Sequence, residues 1–236
     1  MKKIFVYGLM LCTAAFGFTS CNDDEDQLTD TRVTNYIVLT LNGNEVMYVE
    51  AGSDFVDPGC TAELAGEDVT SKVTVNNPVN TNEIGPYVIT YSAVNEDGFA
   101  AQAYRYVYVG SPVVAKVAEG SYRQTWNDDG SPKAQVAWSG YSLFMLTDGN
   151  GKYWTEDLLG GYYYLRAGYG SNYAMEGFLQ VNEDNTVDIA GSNGVPGWGD
   201  DYDDFQNGVF DPAANTISYD IVYAGMDFNV ILNLNE

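Results

Sequence analysis

Tyr104-Arg105-Tyr106-Val107-Tyr108-Val109 runs into Gly110-Ser111-Pro112. A short run rich in aromatic and β-branched side chains, closed by turn residues, reads as a β-strand. The same reading extends outward to Tyr36-Ile37-Val38-Leu39-Thr40-Leu41 and to Tyr87-Val88-Ile89-Thr90-Tyr91. Asn42-Gly43, Asp97-Gly98 and Asp129-Gly130 supply turn signals. No segment sustains the 3.6-residue period of an amphipathic helix, so the expected class is all-β.

Gly110-Ser111-Pro112 reads as a short hinge between two β-domains, residues 33–110 and 113–236. In the second, strands are expected at 120–127, 134–146, 152–155, 161–166, 173–181, 185–190, 206–211, 215–223 and 227–234. Asn182-Glu183-Asp184-Asn185 and Asp211-Pro212-Ala213-Ala214-Asn215 are suitable hairpin connectors. Antiparallel hairpins in series make a meander, which predicts a barrel or a sandwich.

The N-terminus carries a different signal. Lys2 and Lys3 precede an apolar stretch from Ile4 to Phe18 that is too short to span a bilayer. Phe18-Thr19-Ser20-Cys21 follows, then Asn22-Asp23-Asp24-Glu25-Asp26. This arrangement resembles the bacterial lipobox, with Phe18 where an aliphatic residue is usual. The resemblance implies removal of residues 1–20 and acylation of Cys21, which would hold the chain in outer-membrane lipid. Residues 22–32 read as a self-repelling tether. The acidic run also resembles the export signal of Bacteroidetes lipoproteins that face the cell exterior.

Residues 33–110 carry a further pattern. Gly52-Ser53-Asp54-Phe55-Val56-Asp57-Pro58-Gly59 is followed by Asp68-Val69-Thr70, Gly85-Pro86-Tyr87, Asn95-Glu96-Asp97-Gly98 and Arg105-Tyr106-Val107. These segments resemble bacterial immunoglobulin-like modules, which implies a seven-stranded sandwich with a spacing or partner-contacting role. In the second domain, Asp157-Leu158-Leu159-Gly160-Gly161-Tyr162-Tyr163, Asp184-Asn185-Thr186 and Gly197-Trp198-Gly199-Asp200 resemble the C-terminal domain of a group of Bacteroidetes surface lipoproteins. That resemblance implies an accessory subunit of a SusC/SusD-type importer of oligopeptides or glycans.

Composition narrows the chemistry. The chain has 33 acidic and 10 basic residues, for a formal net charge of −23. Without residues 1–20 it would carry about −25, which disfavours nucleic acid as a partner. Histidine is absent, which removes Ser-His-Asp catalysis and ordinary zinc sites. Of three cysteines, Cys12 leaves with the signal and Cys21 carries lipid. Cys60 then has no intrachain partner and is expected to be buried and inert.

Three groups of residues carry the functional reading. The first is aromatic: Tyr162, Tyr163, Tyr164, Tyr169 and Tyr173, with Trp198, Tyr202 and Phe205. Aromatic faces stack on sugar rings or pack on peptide side chains. Adjacent strand residues face opposite ways, so Tyr162–Tyr164 are expected to divide between core and surface. Trp198 and Tyr202 lie in a Gly/Asp loop and are expected to be exposed; with Tyr169 and Tyr173 they are the candidate ligand-binding residues. The second is Asp200, Asp201, Asp203 and Asp204, which could ligate Ca²⁺, recognise a cationic or hydroxyl-rich ligand, or form a solvated loop. EF-hand spacing is not met, and Asp148-Gly149-Asn150-Gly151 reads as a plain turn. The third is a glycosidase-like carboxylate pair, Glu156 with Asp157 or Glu176 with Asp188, which chance alone produces in so acidic a chain.

The expectation is a non-catalytic, lipid-anchored outer-membrane protein in an importer of oligopeptides or glycans, with no cofactor beyond an optional Ca²⁺. A stand-alone glycan-binding protein is the alternative, and a carboxylate-only glycoside hydrolase the second alternative.

Overall fold

A computed structural model describes residues 33–124 and 136–234; Cys21, the acidic tether and Trp126 lie outside the described residues. The first seven strands are β1 (Ile37–Leu41), β2 (Val46–Val49), β3 (Cys60–Leu64), β4 (Glu67–Asp68), β5 (Thr74–Asn76), β6 (Gly85–Val94) and β7 (Ala100–Val109). They form a three-stranded sheet, β1-β3-β4, and a four-stranded sheet, β2-β7-β6-β5. Ile89, Tyr91, Val107 and Val109 alternate inward from β6 and β7 and pack with Val49 and Cys60. This is the expected immunoglobulin-like sandwich. Cys60 is buried, and burial raises its thiol above the usual range.

The alternation in β7 puts the tyrosines outside and Arg105 inside. Tyr104 and Tyr106 are exposed, whereas Arg105 is fully buried. Its guanidinium pairs with Asp57. It also donates to the carbonyls of Asn44 at 3.1 Å, Asn42 at 2.7 Å and Gly59 at 3.1 Å. The Tyr91 hydroxyl donates to the same Asp57 oxygen at 2.6 Å. The buried ion pair is therefore hydrogen-bonded on most sides, as a charge inside a protein must be. It fastens the loops on either side of β2 and before β3 to the sheet.

The remaining strands are β8 (Ser111–Gln124), β9 (Val136–Trp138), β10 (Ser142–Thr147), β11 (Lys152–Thr155), β12 (Gly177–Val181), β13 (Val187–Ser192), β14 (Asp204–Asp211), β15 (Thr216–Tyr223) and β16 (Met226–Asn233). They form one antiparallel sheet in the order β13-β12-β11-β10-β8-β16-β15-β14, with β9 added beside β8. Its two end strands meet through a bridge between Thr186 and Val209, and Phe210 N–H donates to the Asn185 carbonyl at 2.9 Å. The sheet therefore curls almost into a barrel. Bulges in β8, β13 and β14 supply the added twist that such curling needs.

The barrel core follows the two-residue period. Ile217, Tyr219, Ile221 and Tyr223 of β15 are buried, and Phe228, Val230 and Leu232 of β16 face them. Each fully buried large apolar side chain contributes about 1.5–3 kcal/mol. Leu158, Leu159 and Met175 enter the same core from the long connection between β11 and β12.

The structure corrects three sequence expectations. Residues 161–166 are not a strand: Tyr162–Arg166 form a π-helical turn. Residues 110–112 are not a hinge, because β8 begins at Ser111, one residue after β7 ends. The single strand expected at 134–146 is broken into β9 and β10, with Gly140 at φ +82° between them. The described residues from Ile37 onward pack as one unit, and an apolar cluster of Ile84, Leu146 and Trp154 joins the two sheet systems. Among the described residues no helix is long and apolar enough to cross a membrane.

The Arg105 network sets a stability prediction. Arg105→Ala leaves Asp57 buried without its cation and should cost about 3–5 kcal/mol. Tyr104→Ala, one residue away and exposed, should cost under about 1 kcal/mol. Urea denaturation of the two variants measures both.

Candidate functional site

The site is built on a loop held by one carboxylate. Asp157, just past β11, is fully buried. Its Oδ1 accepts the N–H groups of Leu159 at 2.9 Å and Met175 at 3.0 Å, and its Oδ2 accepts that of Gly161 at 3.0 Å. Gly160 and Gly161, at φ +62° and +75°, make the turn that brings these donors round. Leu158 and Met175 are joined by a backbone bond of 2.8 Å, and the Tyr219 hydroxyl donates to the Leu158 carbonyl at 2.8 Å. The segment 162–174 is thus clamped at both ends against the barrel core.

Burial dominates the Asp157 carboxyl and pushes its pKa up to about 7, against the lowering effect of the three N–H donors. Its assigned partner in the acid/base reading, Glu156, accepts the Phe144 N–H at 2.8 Å. Asp188, posed with Glu176, accepts from Asn182 at 2.8 Å at an exposed turn. Neither proposed pair is assembled, since Asp157 spends both oxygens on the backbone inside the core. Glu156 also raises Asp157 electrostatically, and Glu176 in turn raises Glu156, a pairing that sequence spacing did not suggest.

Within the clamped loop the tyrosines sort by depth. Tyr162 is buried against Trp138, ring centroids 4.9 Å apart, and against Phe228 at 5.6 Å. Tyr163 is half-buried and meets Trp198 edge-on at 4.7 Å. Tyr169 is 56% exposed, and Tyr173 lies beside it at 5.5 Å. The division between core and surface was expected, but a π-helical turn produces it, not strand alternation.

Trp198 comes from the connection between β13 and β14. Its N–H donates to the Val195 carbonyl at 3.1 Å, and Val195 is buried. The Val195 N–H donates to the Asp200 carbonyl at 2.7 Å, and the Gly197 N–H to the Asn172 carbonyl at 2.7 Å. Position 197 must be glycine, since a Cβ there would lie 2.6 Å from the Tyr173 ring. The Trp198 indole is 45% exposed and stands 4.8 Å from Tyr173 and 6.2 Å from Tyr169. These three rings line an open depression of about 280 Å³. Three of the four candidate aromatics therefore meet. Tyr202 does not line the depression; it is half-buried and packs against the barrel core.

The acidic residues beside it do not gather. Asp200 accepts the Tyr223 hydroxyl at 2.6 Å. Asp201 accepts the Ser192 hydroxyl at 2.7 Å and its own neighbour's N–H, that of Tyr202, at 2.8 Å. Asp204 accepts the Phe205 N–H at 2.9 Å and a contact from Gln206, and Asp203 is exposed. Among the described residues no group of three acidic, cysteine or histidine side chains could hold a metal. The Ca²⁺ reading of Asp200, Asp201, Asp203 and Asp204 is corrected accordingly: each carboxylate found in a hydrogen bond serves the loop's own geometry. Asp148 likewise caps its turn, accepting the N–H groups of Asn150 at 2.7 Å and Lys152 at 3.1 Å.

Comparison with known proteins bears on this geometry. A family model described as "-like, C-terminal domain" matches residues 111–234. Another, "Bacterial surface protein, Ig-like domain", matches residues 39–109. The crystal structure of the lipoprotein BT2262 from Bacteroides thetaiotaomicron is 38% identical, with a TM-score of 0.54, over 84% of this chain and 100% of that one. The M60 catalytic domain with CBM51-1 and CBM51-2 domains from Clostridium perfringens ZmpB matches at 17% identity and a TM-score of 0.27, over 50% of this chain and 15% of that one. That likeness is too slight to carry an inference. No curated protein matches the chain.

Asp157 generates the prediction here. Asp157→Ala strands three buried N–H donors and should destabilise the protein by at least about 3 kcal/mol in denaturant titrations. The raised carboxyl also sets a pH dependence. Its contribution is fully present below the unfolded pKa near 4 and is lost as pH rises through about 7. Asp157→Asn should lack that slope between pH 4 and 7.

Proposed function

This chain belongs to the family of the lipoprotein BT2262, and from that membership we propose that it is a lipid-anchored surface protein that binds glycans without cleaving them. The observation that carries the reading is the open triangle of Tyr169, Tyr173 and Trp198. Aromatic faces bury the apolar C–H face of a sugar ring at low entropic cost, because each has only two side-chain torsions. Trp198 and Tyr173 are held by the Gly197–Asn172 and Val195–Asp200 bonds, so little ordering remains to be done on binding. Asp201 and Asp203 are exposed in the same connection as Trp198.

In this reading acylated Cys21 and the acidic residues 22–32 hold the platform at the outer face of the outer membrane. A SusC/SusD-type importer beside it receives the captured ligand. The neutral, hydroxyl-rich surface of a glycan also suits a chain of net charge −23, which repels polyanions.

Affinity electrophoresis on a polysaccharide panel tests the binding step. Retardation is expected on at least one neutral glycan. Trp198→Ala should weaken it by about 2 kcal/mol, roughly 30-fold, as truncation of an aromatic anchor does. Retardation on no glycan, or retardation unchanged in Trp198→Ala, overturns the reading. Pull-down from detergent-solubilised outer membrane tests the assembly; recovery without a SusC-like barrel counts against it.

A further inference from the structure

A second cavity, about 200 Å³ and more enclosed than the aromatic depression, opens where β7 meets the C-terminal sheet. Its walls are aromatic on several sides: Tyr108 from β7, Phe144 from β10, Trp154 from β11 and Tyr164 from the clamped loop. Tyr108 meets Phe144 edge-on at 5.2 Å, and Phe144 meets Trp154 at 6.2 Å. The remaining chemistry is two carboxylates, Glu156 and Glu176, which flank the segment that Asp157 clamps. Both are half-buried.

These carboxylates are poorly provided for. Glu156 uses Oε1 on the Phe144 N–H, and Glu176 uses Oε2 on Asn193 at a long 3.4 Å. Their other oxygens accept no bond among the described residues, and no lysine or arginine lines the cavity. Burial raises both carboxyls, and the nearby Glu176 charge raises Glu156 further. Two like charges in an aromatic-walled space repel each other, a cost that a proton, solvent or a cation between them relieves.

We propose that this cavity binds an organic cation: an ammonium or guanidinium group on a short alkyl stem, whether a free amine or a lysine or arginine side chain. The charge is matched by Glu156 and Glu176. The stem packs on Phe144 and Trp154, and the ring faces attract the cation through their quadrupoles. A hard metal ion is the poorer occupant, because it needs six to eight oxygens and two carboxylates supply too few. The site is separate from the Trp198 depression and shares no lining residue with it.

Calorimetric titration of the whole protein with n-butylammonium, N-acetyl-lysine methylamide and N-acetyl-arginine methylamide tests the proposal. N-acetyl-norleucine methylamide is the neutral control. Binding of at least one cation is expected, with none of the norleucine compound. Affinity should fall at least 10-fold in Glu156→Gln/Glu176→Gln and should be unchanged in Trp198→Ala. Preference for the amino-acid amides over butylammonium indicates a polypeptide side chain as the source, and the reverse a free amine. Thermal melting shows whether the double variant folds; if it does not, Glu176→Gln and Tyr108→Leu each replace it, with the same loss expected. No binding of any cation, equal binding of norleucine, or retention of affinity in the folded variants overturns the proposal.

Discussion

The carboxylate of Asp157, accepting three backbone N–H groups inside the barrel, is the contact that fixes the loop shared by the aromatic depression and the enclosed cavity. One oxygen reaches Leu159 at the start of the long β11–β12 connection and also Met175 at its end. The loop between them is closed by this side chain together with the Leu158–Met175 backbone bond, and its closure entropy is offset there. Tyr164 leans to one side of this loop, toward the enclosed cavity. Tyr169 and Tyr173 lie on the other, toward Trp198. The clamp fixes the walls that the loop contributes, whereas Tyr108, Phe144 and Trp154 are held by their strands.

The barrel and the sandwich are linked as tightly as the loop. β7 passes into β8 across one residue, and Ile84 packs with Leu146 and Trp154 at the junction. Tyr108 then serves as an outer residue of β7 and as a wall of the cavity whose floor belongs to the barrel. The immunoglobulin-like part is consequently no separate module, since one of its strands completes the cavity. A true hinge at residues 110–112 would have left that wall free to move.

The sequence made the strands legible wherever a two-residue period met a turn signal. β6, β7, β15 and β16 fall in or near their expected ranges because Val, Ile, Tyr and Phe alternate there between Gly, Asn and Asp. Tyr162-Tyr163-Tyr164 misled because three β-favouring residues in a row look like strand. The deciding facts are the left-handed glycines before them and the buried anchor at Asp157, and tertiary context overrides propensity. Arg105 was quoted as part of a strand, yet nothing local says that it faces inward; its partner Asp57 lies 48 residues away.

The candidate site was legible to the extent that its residues were chemically conspicuous. Trp198, Tyr169 and Tyr173 stand out among glycines, and the structure does bring them together. Tyr202 was equally conspicuous in sequence but turns toward the barrel core, because β14 begins two residues later and fixes which way the chain enters the sheet. The four aspartates nearby looked like a ligand set only because composition hides purpose in so acidic a chain. Glu156 and Glu176 were hidden for the opposite reason. They are twenty residues apart with a loop between them, and the pairing of β11 with β12, which sets Thr155 opposite Gly177, makes them neighbours. Strand register thus brings the two carboxylates together, while the Asp157 clamp folds the loop between them, so the aromatic depression and the cavity share one loop through two different constraints.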